Sequence, residues 1–232
     1  MSENRSTGFM AALQLADSFF PTGMYAHSHG LEGMVTQGSV STAGDVEEFL
    51  KNQMVCSVLP SDGVALINAY RSAGMGDLDT LVSIDRLLLA LKLPLEQRTA
   101  SIQVGQRLMA ETSNFICHPV HAEYRMRVAA REAPGNSPVA QGVTACALDI
   151  PEGQALLLFC HSHAVSVVGA AMRLLPLSHT NAQSILHRLR PVIVETARDV
   201  RKTHWKDMTA FTPEIDIASM RHEEQDLRLF AS

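Results

Sequence analysis

The chain has 232 residues, of which 46% are apolar and 19% charged. That is long enough to bury a core without disulfides or metal, and too apolar for general disorder. Nineteen basic residues against 24 acidic ones leave a net charge of −5, which argues against nucleic acid as a main partner. No polybasic run suggests an anionic membrane.

Residues 1–8 are polar, lack the apolar stretch of a signal peptide and are expected to be flexible. Thr42 and Asp45 offer N-caps ahead of an apolar run over 46–59, which Pro60 is expected to stop. Ser61 and Asp62 then start a run through Ala65, Leu66 and Ala69 that ends near Gly74. Leu81, Ile84, Leu88 and Leu91 predict a helix over 78–91. Pro94 opens the next, with Leu95, Ile102 and Met109 at seven-residue spacing and an end near Phe115. The segment 133–138 is the clearest loop. Residues 143–150 carry some strand character, but their alanine and leucine favour helix. Pro151 opens, and Pro176 closes, a long apolar helix. That stretch could span a bilayer by length. Histidines at 161 and 163 would be costly in lipid, so a helix buried in a bundle is expected. A final amphipathic stripe from Ala182 to Val200 contains Pro191, where a kink or short break is expected. No repeat or interdomain linker is visible. The reading is one all-α domain, a single helical bundle over residues 1–232.

Common catalytic signatures are missing. There is no phosphate-cradling G-x-x-x-x-G-K-[ST], no dinucleotide G-x-G-x-x-G, no G-x-S-x-G elbow and no H-E-x-x-H. Cys56, Cys117, Cys146 and Cys160 form no C-x-x-C pair, and they read as reduced cysteines of a cytoplasmic protein. Among ten histidines, His27 and His29 can share a metal only if their backbone is irregular, because a helix would point them about 200° apart. His161 and His163, on a helix, should face different neighbours. Cys117, His118 and His121 form a second cluster, whose first and last members have the spacing of one helical face. Polar contacts and caps are the commoner use of such residues.

Three segments resemble one family, the urease accessory protein UreF. They are LQLADSFFPTGMYAHSHGLE at 13–32, RTASIQVGQRL at 98–108 with PVAQG at 138–142, and the tail DIASMRHEEQDLRLFAS at 216–232. RLLPLSHTNAQSIL at 173–186 is also similar. The resemblance runs collinearly through nearly the whole chain. It implies an all-helical, non-enzymatic cytoplasmic protein that helps mature the nickel enzyme urease. Members typically form a homodimer, bind the accessory protein UreD (UreH in some organisms) and recruit the nickel-carrying GTPase UreG to apo-urease. Nickel and GTP would then be handled by partners, with no cofactor held by this chain. Tyr25 and Arg228 match family positions associated with the UreD/UreH contact. The resemblance extends that role to residues 214–232, with Met220, Arg221, His222, Leu229 and Phe230 as contacts. Ile217, Met220, Leu227 and Phe230 give this tail apolar groups for a partner groove. Leu157 and His161 fall in the region linked with dimer formation and UreG, where relatives often carry arginine and tyrosines. His161 would make assembly pH-sensitive. The rival reading is a nickel-binding metallochaperone with His27 and His29 as ligands.

Overall fold

A computed structural model describes residues 3–17, 19–225 and 228–230, with the backbone alone for 3–5. Among them there are helices and no strands. The elements are α1 (Glu3–Ala16), α2 (Leu31–Thr36), α3 (Ala43–Gln53), α4 (Val64–Met75), α5 (Leu78–Leu91), α6 (Leu95–Thr112), α7 (Pro119–Ala129), α8 (Ser137–Ala147), α9 (Glu152–Leu174), α10 (His179–Val200) and α11 (Pro213–His222). The described part of 1–8 is thus the opening of α1.

Thr42 and Asp45 start α3 with a reciprocal capping box: Asp45 N donates to Thr42 Oγ1 at 3.2 Å, and Thr42 N donates to Asp45 Oδ2 at 2.8 Å. The helix does not stop at Pro60. It continues through a π-helical stretch, Met54–Gly63, directly into α4. In the wide π turn each N–H reaches five residues back, so the donor that Pro60 lacks is missed by Val55 O, and Val55 is exposed to water. A distant loop braces the same stretch: Cys56 O accepts the N–H of Phe211 at 2.8 Å, and Pro60 O accepts Thr209 N at 3.2 Å. Pro191 also fails to break its helix, since α10 runs unbroken through it. That proline is exposed, where water can satisfy the carbonyl it frees. Helix α6 ends at Thr112, three residues short of the expected Phe115.

The apolar helix α9 is the centre of the bundle and touches α1, α2, α3, α4, α8 and α10. Its length and composition would suit a membrane span, but two thirds of its most apolar window is buried within the fold. Helix α8 packs against α4 and α6 at two glycines. A Cβ on Gly142 would lie 2.5 Å from Leu66 O, and one on Gly105 would collide with Gly135 O, in the loop that leads into α8, and lie 2.7 Å from Ser137 N at its start. Neither leaves room for a methyl group.

The loop 133–138 is pinned by one core carboxylate. Asp85 Oδ2 accepts Tyr124 Oη at 2.8 Å and Gly135 N at 2.7 Å; Asp85 Oδ1 accepts Asn136 N at 3.0 Å and Asn136 Nδ2 at 2.8 Å. Burial raises this carboxyl above the ordinary range, against the lowering effect of those bonds.

Candidate functional site

The candidate metal ligands are only partly brought together. The backbone at 27–29 is irregular, as sharing a metal would require: His27 is extended and His29 is left-handed at φ 55°. The two rings are nevertheless 6.3 Å apart, centroid to centroid, and His29 turns to His163 of α9 instead, at 4.3 Å. Gln53 ties this pair down. Its Oε1 lies 2.8 Å from His163 Nε2, and its Nε2 donates to His29 O at 2.9 Å. The rings border a cavity of about 80 Å³, beside the half-enclosed Lys92–Asp62 ion pair at 2.6 Å. Burial, then His163, His27 and Lys92, holds the His29 imidazole well below its ordinary pKa. Burial and then Lys92 push His163 down to about 3. Both rings are therefore neutral at pH 7.

Cys117, His118 and His121 do not converge. Pro119 begins α7, Cys117 is exposed, and His121 is buried with Nε2 2.9 Å from Thr112 Oγ1. No group of three His, Cys, Asp or Glu among the described residues is placed to hold a metal ion.

The densest polar site lies at the C-terminal tail. Glu32 at the start of α2 and Glu96 at the start of α6 are both buried, and His222 at the end of α11 stands between them. His222 Nδ1 is 2.9 Å from Glu96 Oε2; Nε2 is 3.0 Å from Glu32 Oε2, but without the alignment of a hydrogen bond. Arg228 Nη1 donates to Glu96 Oε1 at 2.7 Å. Glu32 also accepts the backbone N–H groups of Leu229, at 2.8 Å, and Phe230, at 3.0 Å. Two more bonds join α6 to α11: Glu96 N to Glu223 Oε1 at 3.1 Å, and Gln97 Nε2 to Ser219 Oγ at 3.1 Å.

Phe230 is buried under Arg173 of α9, whose guanidinium carbon lies 4.0 Å above the ring centre. The same arginine donates from Nη2 to Tyr25 O at 2.7 Å. Tyr25 and the tail thus meet through one cation. The tail is therefore split by face. His222 and Phe230 point inward, whereas Ile217, Met220, Arg221 and Leu229 are exposed. Leu93 and Leu95, at the entrance to α6, are exposed as well. Leu227, like Ser18 of the first motif and Asp226, Ala231 and Ser232 of the last, lies outside the described residues.

A family model described as UreF matches residues 40–190. The chain is 32% identical to the urease accessory protein UreF of Actinobacillus pleuropneumoniae, over 96% of this chain and 98% of that one. It is 32% identical to the UreF of Trichodesmium erythraeum (strain IMS101), over 96% of each, and 27% identical to that of Bacillus sp. (strain TB-90), over 96% of this chain and 98% of the relative. The chain belongs to the UreF family. The three motif segments that resemble UreF are not scattered in space: Glu32 ends the first, Glu96 stands just before the second, and His222 and Arg228 belong to the third.

The two positions expected from the resemblance at a dimer or UreG contact lie elsewhere. Leu157 and His161 are exposed on α9; partial burial of the ring, and then the Arg190 charge on α10, lower the His161 imidazole from its ordinary pKa. Sequence reasoning missed Glu96, Arg173, Gln53 and His163 as parts of these sites. Glu96 looks like an ordinary first-turn carboxylate, and nothing local marks a partner 126 residues away.

Proposed function

We propose that this chain is a non-catalytic scaffold in urease maturation, docking UreD/UreH through its C-terminal tail and, as a homodimer, recruiting and regulating UreG so that nickel reaches apo-urease. The observation that carries the reading is the tail's split character. Glu32, Glu96, His222 and Arg228 fix its backbone, and the fixed tail displays Ile217, Met220 and Leu229 outward. Exposed apolar side chains on a fixed tail, with exposed Arg221 next to Met220 in sequence, suit a protein interface. Of the two positions the family associates with UreD/UreH, Arg228 lies within the tail and Tyr25 is joined to it through Arg173. Family membership supports the wider role, in which the nucleotide and nickel chemistry belong to the partners. Leu157 and His161 on α9 are the surface proposed for the dimer and UreG.

The test is binding of purified UreD/UreH to the wild type and to Met220→Asp combined with Leu229→Asp. Both positions are exposed, so the fold should survive. The reading expects at least a tenfold weaker Kd, about 1.4 kcal/mol; unchanged affinity would refute the tail as the docking surface. The metallochaperone reading keeps His27 and His29 as a pair near His163. Nickel titration addresses it: stoichiometric binding that His27→Ala and His29→Ala abolish would favour it over the scaffold.

A further inference from the structure

A second groove lies apart from the tail site, between α2, α3 and the start of α11. Its volume is about 490 Å³. The floor is apolar and already packed, made by Met34, Val40, Phe49 and Ile215. The walls carry three carboxylates, Asp45, Glu48 and Glu214, and no lysine, arginine or histidine. Glu48 and Glu214 are exposed and have no ionic partner among the described residues. Backbone bonds to Ser41 and Thr42 hold the Asp45 carboxyl below the ordinary range, so it is charged at neutral pH.

Phe211 stands on the rim and is 77% exposed. Its main chain is anchored: the Phe211 N–H is committed to Cys56 O in the π-helical stretch. An aromatic ring held in water by a fixed main chain loses little conformational freedom when a partner covers it. Apolar floor, aromatic rim and acidic walls together define the complement: an apolar anchor flanked by positive charge.

We propose that this groove docks a segment of another protein, an amphipathic helix or turn with an aliphatic or aromatic anchor and lysine or arginine beside it. The anchor lies against Phe49 and Phe211, and the cations meet Glu48 and Glu214. The inference does not depend on the tail reading.

The experiment uses the full chain and two fluorescein-labelled synthetic helical peptides of 16 residues with identical leucine and phenylalanine anchors. One carries lysine and arginine on its polar face and the other glutamate. Fluorescence anisotropy gives affinity, and amide hydrogen exchange gives location. The cationic peptide should bind, protect amides within 34–56 and 209–215, and weaken about tenfold or more in Glu48→Lys combined with Glu214→Lys. Phe211→Ser should weaken it without changing the fold, checked by circular dichroism. Leu229→Asp should bind like the wild type, which separates this groove from the tail. Equal binding of both peptides, protection elsewhere, indifference to the charge reversals, or occupation of the groove by a second copy of this chain would each overturn the proposal.

Discussion

Replacing Glu32 with alanine strands two backbone donors, those of Leu229 and Phe230, and removes the carboxylate beside His222 Nε2. An unsatisfied buried donor costs about 1–3 kcal/mol. Much of that cost is avoided if the tail simply leaves. The expected outcome is therefore faster proteolysis after residue 222 with a modest loss of global stability. A tail as resistant as the wild type's would contradict the role given to Glu32. A second prediction concerns acid. His29, His121 and His163 have folded pKa values below the ordinary 6.5, with His121 near 4 and His163 near 3. Below about pH 6.5 the unfolded chain binds protons that the folded chain refuses. Their stabilising effect is complete above that pH and declines as pH falls, by up to about 1.4 kcal/mol per unit for each histidine. Urea midpoints should drop between pH 7.5 and 5, and His163→Gln should flatten the slope. An identical slope in that variant would remove His163 from the account.

At the scale of elements, helices were legible wherever their cause was local. Asp77 caps α5, and its bounds, Leu78–Leu91, are those its apolar spacing predicts. Pro151 and Pro176 likewise bracket α9. Pro60 misleads because the helix widens to a π turn around it and is braced from afar: residues 209 and 211 donate to Pro60 O and Cys56 O, about 150 positions away, and no local window contains them. The glycines of the central motifs are explained by close packing. Gly142→Ala and Gly105→Ala each place a methyl where backbone oxygen already stands, and should each cost about 1–3 kcal/mol. Thr42→Ala, which only loses a cap, should cost about 1 kcal/mol. Denaturant unfolding ranks the three. A Gly105→Ala variant as stable as the wild type would show that α6 and α8 can separate freely.

Over the whole molecule, sequence indicated which segments matter but not how they meet. Tyr25, His222 and Arg228 could be singled out along the chain. Their convergence on Glu96 and Arg173 depends on the packing of α2, α6, α9 and α11, which no spacing in the sequence encodes. The fold also changes how the tail should be tested. Deleting residues from 216 onward would remove Ala218, His222 and Phe230, all buried, and so confound lost binding with lost structure. Surface substitutions avoid this. The most direct measurement is co-purification of the full chain with UreD/UreH and UreG from one organism, comparing wild type with Met220→Asp combined with Leu229→Asp. The scaffold account predicts that wild type carries both partners and that the substituted chain, equally folded, loses UreD/UreH. Retention of both partners by the substituted chain, or capture of neither by the wild type, would contradict it.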